Sequence, residues 1–485
     1  MDHRNPIGSI RSGEGILSTN REDTLRALIG THFPGYIPQS PRTKYDSKNS
    51  EMVGSGPIVK TRAYKISKDI CTEEAIKWAI NSFEPYKAPG PDGIYPIFLQ
   101  KGLDQMMPLL RNIFRASLAL EYIPVAWREV RLVFIPKAGK QDTSEAKAYR
   151  PISLTSFFLK SLEKMIDIHI RNSVLTRHPL AAEQHAYQAG KSTETALHTI
   201  VRKIENTLAV GQVLMCTFLD VQGAFDNTNF EVLKNATIGR GVNPVIVGWT
   251  VHMLKQRKIK ASLGDANITF RPTRGCSQGG VLSPLMWLLV VDELLLRLRD
   301  EGLQCVGYAD DIAIMVQGNY EDTVAERMQR GLKIVDKWCT EAGLSVNPKK
   351  THGLIFTRRR KLKYRVPTIG GNPIHISKEI RYLGVTLDTK LTWNPHIKYM
   401  INRANMAFHA CRQMIGKTWG LNPKMVVWLH TSIIRPIICY AALVWWPKTN
   451  QSETQKSLNK LQRTICLCAT GAVRSCPTMA LERLL

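Results

Sequence analysis

The chain has 485 residues, 44% of them apolar, with 66 Lys or Arg against 40 Asp or Glu, a formal net charge of +26. That balance permits sizeable cores over roughly two to four domains, calls for a polyanionic partner and excludes an acidic, solvating chain. The ten cysteines are scattered, with Cys466 and Cys468 the one close pair and no histidine at zinc-finger spacing, which excludes a disulfide framework or a zinc module and reads as reduced, mostly buried thiols.

Residues 1–65 are rich in Gly, Pro, Ser, Arg and Asn, with one short helical stretch from Glu22 to Gly30, and read as a weakly ordered linker or tail. From Thr72, an N-cap before Glu73 and Glu74, the spacing of Ile76, Ile80 and Phe83 predicts an amphipathic helix ending before Pro85. Further helices are predicted over Asp104 to Leu120 and Thr155 to Leu175. Between them the apolar run Val130 to Pro136 reads as a strand beside a basic loop carrying Lys137 and Lys140.

Gly190-Lys191-Ser192-Thr193 looks at first like a phosphate-binding loop. Position 185 is His rather than the Gly that loop requires, and no strand precedes it, so a nucleotidase is excluded. Ser192 and Thr193 instead cap a helix through Ala209 that stops at Gly211.

The run Val213 to Leu219 has the length of a buried central strand and ends in Asp220. Ninety residues later, Tyr308-Ala309-Asp310-Asp311 stands between the apolar runs Leu303 to Tyr308 and Ile312 to Val316, a strand, acidic turn and strand. Two adjacent acids alone read as a solvated turn. With Asp220 on a neighbouring strand, three carboxylates share one edge and suit two magnesium ions, roughly 3.5 to 4 Å apart, one activating an attacking hydroxyl and the other stabilising a leaving oxygen. That is phosphoryl transfer.

Downstream of the acidic turn, Tyr320 to Ala342 is predicted to be a helix ending at Gly343, and residues 366–387 to form short strands turning at Gly370-Gly371 and Gly384. Lys349 to Arg365 holds eight Lys or Arg and no acid, including the run Arg358-Arg359-Arg360-Lys361, and residues 401–485 hold eleven cations against two acids. Such runs are either solvated faces or phosphate-binding surfaces. The remainder is helical, with Trp419, Trp428, Trp445 and Trp446 read as core rather than as base-stacking platforms. The stretch Met425 to Trp446 is interrupted by His430, Arg435 and Pro436 and reads as a buried helix pair, not a membrane span. With no apolar signal core at the start, an intracellular location, in cytoplasm and nucleus, is expected.

The segments Phe218-Leu219-Asp220-Val221-Gln222-Gly223-Ala224-Phe225-Asp226 and Tyr308-Ala309-Asp310-Asp311 together resemble the catalytic palm of reverse transcriptases. Between them Arg274-Gly275-Cys276-Ser277-Gln278-Gly279-Gly280-Val281-Leu282-Ser283-Pro284 resembles the family's Gln-Gly motif, and Ile135-Pro136-Lys137 and Tyr149-Arg150-Pro151-Ile152-Ser153-Leu154 its fingers motifs. Lys87-Ala88-Pro89-Gly90-Pro91-Asp92-Gly93, Gly343-Leu344-Ser345-Val346-Asn347-Pro348-Lys349-Lys350-Thr351 and Arg381-Tyr382-Leu383-Gly384-Val385 narrow the resemblance to non-LTR, jockey-like retrotransposons over roughly residues 60 to 485.

The resemblance implies an α+β, right-hand polymerase: an N-terminal extension and fingers over 66–212, a palm with an antiparallel sheet and residual fingers elements over 213–365, primer-grip strands over 366–395 and a helical thumb over 396–485. It implies an RNA-directed DNA polymerase with Asp220, Val221 (through its backbone), Asp310 and Asp311 as ligands of two Mg2+ ions, for which Mn2+ substitutes, Asp311 in the assisting role. Lys137 and Arg150 would hold a deoxynucleoside triphosphate, and Gln278 and Gly279 line its template side. Phe225 would crowd the ribose 2′ position, Lys350 or Lys349 face the leaving pyrophosphate, and Tyr382, Leu383 and Gly384 grip a DNA primer.

RNA template, DNA primer or nicked target DNA and deoxynucleotides are the expected partners, with no membrane. Related elements carry an endonuclease that this chain does not, so a fragment or truncated copy is expected and DNA nicking is not. Ser277 stands where the family often has Pro before the Gln, which leaves the loop's geometry open. The rival readings are an inactive or domesticated RNA-binding remnant of the same fold and another palm polymerase. The intact acids oppose the first, and Phe225 with the fingers and thumb motifs opposes the second.

Overall fold

A computed structural model describes residues 7–11, 17–39, 57–137, 142–359, 362–412 and 421–484. Lys140, Arg360, Lys361 and Trp419 lie outside the described residues. The chain divides into two compact, discontinuous units, one of Met1–Ala182, Val221–Arg297 and Val335–Ser345, the other of Glu183–Asp220, Leu298–Ile334 and Val346–Leu485. The divisions expected at 65, 212, 365 and 395 do not coincide with these limits.

In the first unit, strand Glu129–Pro136 alternates buried Val130, Leu132 and Phe134 with exposed Glu129 and Arg131, the period-2 pattern of a sheet with one covered face. Its sheet runs in the order Ile37–Pro38, Ala266–Arg271, Lys258–Leu263, Glu129–Pro136, Tyr149–Leu154. The hairpin Lys258–Leu263/Ala266–Arg271, although it falls within the palm's stretch of sequence, belongs to this sheet through parallel pairing of Lys258 to Ala261 with Glu129 to Leu132. The cover is the helix Arg21–His32, whose N-cap Asn20 accepts the Asp23 N–H. Its Leu25, Leu28 and Ile29 are fully buried against Val130, Leu132, Ile259 and Phe270.

Residues 7–11 and 17–39 are therefore part of this core, contrary to the expected tail. Three apolar side chains at helical spacing, each contributing about 1.5 to 3 kcal/mol on full burial, outweigh the loop-like composition around them. The helices Glu73–Asn81, capped by Thr72, and Leu103–Ala119 form as expected. The helix expected over Thr155 to Leu175 runs Phe157–His169 and widens into a π turn over Ile170–Val174.

The second unit is built on a sheet in the order His375–Ser377, His352–Phe356, Val213–Gln222, Asp311–Gly318, Gln304–Tyr308. Every residue from Val213 to Leu219 is buried, as a central strand covered on both faces requires. The pairings are antiparallel except that His375–Ser377 runs parallel to His352–Phe356, so the sheet is mixed at that edge.

Helix Thr193–Ala209 starts in a capping box between Ser192 and Thr195. It lays Leu197, Ile200, Val201 and Ile204 on Leu214, Cys216, Phe218, Val306 and Met315. The hairpin Glu379–Tyr382/Val385–Asp388 turns at Leu383 and Gly384, φ 43° and 81°.

The C-terminal helices close a smaller core of Ala404, Phe408, Ile434, Leu461 and Ile465. Trp445 is buried, but Trp428 and Trp446 are 62% and 55% exposed, which corrects their reading as core. The segment Met425 to Trp446 is correspondingly not a buried pair: Val426, Ile434, Ala441, Val444 and Trp445 are its buried apolar residues. Among the described residues no single helix is long and apolar enough to cross a membrane. Six of the ten cysteines are buried and none forms a disulfide.

Candidate active site

The acids gather at one end of the second unit's sheet. Asp220 lies directly opposite Asp311 in the antiparallel register, and Asp311 is paired in turn with Tyr308. Opposed residues point their side chains to the same face, so strand register sets these two carboxylates side by side. Asp310 is exposed in the turn between the strands, behind Ala309 at φ 56°, a left-handed conformation that costs a non-glycine residue energy and is retained where function needs it.

Burial, reinforced by the charges of Asp310 and Asp220, pushes the Asp311 carboxyl up to about 7. The Lys350 ammonium stands 3.4 Å from Asp220 Oδ2, carried there by the turn in which the Lys350 N–H donates to Asn347 O. Of the two candidate lysines it is Lys350 that reaches the acids.

This donor set, hard oxygens with mutually repelling charge, has the chemistry that divalent ions such as magnesium require. As the side chains stand, no three of the described His, Cys, Asp or Glu residues converge on one point, so ion binding requires the carboxylates to turn inward together. Tyr382 lies beneath the acids, buried with its ring 4.7 Å from Phe218, and desolvation with the charge of Asp311 raises its phenol well above the ordinary value. The Leu383 carbonyl accepts from Tyr440 Oη at 2.8 Å, and a Cβ on Gly384 would meet the Tyr440 ring at 2.9 Å.

The remaining expected residues fall in the first unit. Lys137 and Arg150 come together at the open end of one strand pair: Arg150 is opposite Ile135, and the Lys137 N–H donates to Ala148 O at 2.8 Å. The Gln278 carbonyl accepts the Ser153 N–H at 2.8 Å, which fastens the Gln-Gly loop to the edge of Tyr149–Leu154. Gly279 has φ 105°, and a Cβ there would lie 2.9 Å from Ser153 O, so only glycine fits.

Phe225 is half-buried with its ring 6.1 Å from Trp287, and its carbonyl accepts the Cys276 N–H. Lys137 also acts electrostatically on Asp226, whose carboxylate accepts from Gln278 Nε2 at 2.8 Å. Strand and loop thus bring Lys137, Arg150, Gln278 and Gly279 into one neighbourhood. Val221 follows Asp220 in the same strand and is buried.

Several contributors were not singled out from sequence. Tyr187, at φ 53°, is half-exposed near Asp310, whose charge, after burial, raises its phenol. It is brought there by segment 183–185, where the His185 N–H donates to Gly307 O and the Glu183 carbonyl accepts the Gly307 N–H. Asp226, Glu163 and Arg257 are ionisable yet buried. The signal for Glu163 was an acid inside an apolar helix pattern, which burial alone makes visible.

Residues 135–387 match the reverse transcriptase (RNA-dependent DNA polymerase) family. Among curated proteins, the putative 115 kDa protein of type-1 retrotransposable element R1DM of Drosophila melanogaster is 27% identical over 98% of this chain and 44% of its own length. The probable RNA-directed DNA polymerase from transposon BS of the same fly is 27% identical over 95% of this chain and 51% of its own. The RNA-directed DNA polymerase from its mobile element jockey is 26% identical over 77% and 41%.

The chain spans about half the length of the curated relatives it matches. Among solved structures, apo telomerase from Candida tropicalis, truncated from its C-terminal domain, superposes with a TM-score of 0.38 at 14% identity over 55% of this chain and 54% of that one. By the extent of the family match the chain belongs to the reverse transcriptase family, and it is similar to members from the retrotransposable elements R1DM and jockey.

Proposed function

We propose that the chain is an RNA-directed DNA polymerase that copies retrotransposon RNA into DNA, primed at a nicked DNA target. The observation that carries the reading is the register of Asp220 against Asp311, with Asp310 in the adjoining turn. The family depends on divalent metal, and two Mg2+ ions, with Mn2+ as substitute, fit the hard-oxygen donors Asp220, Asp310 and Asp311 with the Val221 carbonyl. When bound, such ions activate the attacking hydroxyl and stabilise the leaving oxygen.

The chain's own groups do the rest. Arg150 and Lys137 hold the triphosphate by charge-assisted hydrogen bonds, Gln278 and Gly279 border the nucleotide, and the Phe225 ring restricts the sugar at its 2′ position. Lys350, an ammonium already beside Asp220, compensates charge on the departing pyrophosphate and is the donor for its proton. The turn Tyr382-Leu383-Gly384 holds the primer strand. An enzyme meeting both RNA and genomic DNA works inside the cell, in cytoplasm and nucleus.

Primer extension on an RNA template tests the reading. Asp220→Asn is expected to lower magnesium-dependent incorporation of deoxynucleotides by about two to three orders of magnitude, the scale of losing one partner of transition-state charge. Equal incorporation by wild type and variant sinks the proposal, as does a folded wild-type chain that extends no primer with either metal.

A further inference from the structure

The Gln-Gly loop lacks the rigid proline expected before Gln278, and the structure supplies other restraints from three buried charged residues of the first unit. Arg257, 3% exposed at the end of helix Pro244–Lys255, donates from Nη1 to Ser277 Oγ at 2.8 Å and from Nη2 to Gly275 O at 2.5 Å. Its Nε donates to Leu254 O at 2.9 Å, so the guanidinium joins loop to helix.

On the other side of the loop Glu163, 2% exposed, accepts the N–H groups of Val281 and Leu282 at 2.6 and 3.0 Å. These stand just ahead of helix Ser283–Asp300, where a carboxylate meets both unsatisfied donors and the positive end of the helix dipole. Ser277 gains from Arg257 the anchorage that a proline ring would provide by stiffness. Between these two clamps the Gln278 side chain donates from Nε2 to the 8% exposed carboxylate of Asp226 at 2.8 Å.

We propose that Asp226 is a positioning residue that fixes the amide of Gln278, holding its N–H2 end inward so that the amide oxygen is the group left for a nucleotide. The inference deepens the polymerase reading and rests on it for the identity of the ligand. An ionised carboxylate has only acceptors, so it admits one of the two amide orientations and excludes the other. Burial pushes the Asp226 carboxyl up to about 7, opposed by the Gln278 hydrogen bond and by the charges of Arg257 and Lys137. At pH 8 the ionised form, which only accepts, therefore predominates. An orientation imposed from a buried, charged anchor suits a side chain that must present the same hydrogen-bonding edge at every cycle.

Asp226→Asn keeps the shape but gives position 226 a donor as well as acceptors, so the Gln278 amide is free to flip. With the full chain at pH 8, the KM for deoxynucleotides is expected to rise roughly five- to tenfold, the scale of one hydrogen bond, with kcat moving less. Binding of a fluorescent deoxynucleotide to the enzyme with primer–template and Mg2+ should weaken in parallel. In a Gln278→Ala background the same substitution should change neither quantity.

Stability should move the opposite way. A carboxyl raised in the fold opposes folding once pH exceeds its ordinary value, and does so fully above about 7, so Asp226→Asn should melt higher than wild type at pH 8. A merely structural Asp226 gives no such split.

Gln278→Glu, which sets two carboxylates against each other, should weaken binding more than Gln278→Ala, and Asp226→Asn should rescue it by exchanging donor and acceptor. Unchanged KM and binding in a folded Asp226→Asn variant, additivity with Gln278→Ala, or failure of that rescue overturns the inference and leaves the polymerase reading standing. A wild type that binds deoxynucleotides, weakens on Asp226→Asn and never extends a primer does the reverse. Neither binding nor extension by the folded wild type removes both.

Discussion

The acidic end of the second unit's sheet and the Gln-Gly loop of the first surround their buried carboxyls with different neighbours. At Asp220, Asp310 and Asp311 carboxylates crowd one another, and the Asp311 carboxyl is driven toward its neutral form. In the loop, burial raises Asp226 to the same value, about 7, and raises Glu163 as well, yet Glu163, Arg257 and Asp226 each have hydrogen-bond partners within their own unit. Like charges placed together mark a place for cations from outside, whereas buried opposite charges that are hydrogen-bonded mark a part whose shape is already set.

Removing charge from the acids should therefore have the largest effect. Asp310→Asn is expected to cut extension as far as Asp220→Asn, by about two to three orders of magnitude. Asp311→Asn should cost less, because Asp311 takes the assisting role beside Asp220 and Asp310. Steady-state extension rates with all three variants check this, and equal loss at Asp311 and Asp310 breaks the assignment of supporting and primary ligands.

The loop should respond to shape instead. Gly279→Ala adds a Cβ at 2.9 Å from Ser153 O at φ 105°, a strain of about 1 to 3 kcal/mol, and should raise the deoxynucleotide KM while the melting temperature falls. A normal KM would show that the loop is softer than its anchors imply.

Smaller effects sharpen the contrast. Tyr440→Phe removes the hydrogen bond to Leu383 O, worth about 1 kcal/mol, and should loosen primer binding with little change in nucleotide KM. Titration of primer–template affinity tests it.

His32, whose ring nitrogen meets Ala146 O at 3.1 Å, is lowered to about 4 by burial, partly offset by that backbone contact. A base depressed in the fold contributes stability that is present above its ordinary value of 6.5 and lost as pH falls from there toward 4. Thermal melts between pH 7 and 4 should decline less for His32→Gln than for wild type.

Much of both regions is legible in the chain, for different reasons. Periodicity identifies Val213 to Leu219 as a buried strand, and Asp220 and Asp310 follow from where the apolar runs stop. Helix Thr193–Ala209 follows from its capping serine. What is not legible depends on long-range packing. Leu25, Leu28 and Ile29 look like a helical scrap in a polar tail until the sheet they cover is present. The hairpin Lys258–Leu263/Ala266–Arg271 carries no mark saying which sheet it joins. Trp428 and Trp446 resemble Trp445 by type and spacing, yet only Trp445 has neighbours that exclude water. Glu163 is indistinguishable in sequence from a solvated charge on a helix, and Arg257 from one in the turn after a helix.

The strand Val213–Gln222 carries a consequence for biosynthesis. Its two long partners, Asp311–Gly318 and His352–Phe356, begin about 90 and 130 residues after it ends. At roughly 5 to 20 residues per second of translation, this apolar ribbon waits about 5 to 25 s with its hydrogen-bonding edges bare. Such a segment is a template for aggregation until its neighbours emerge, so the strand that presents Asp220 is also where a nascent chain most needs chaperone protection.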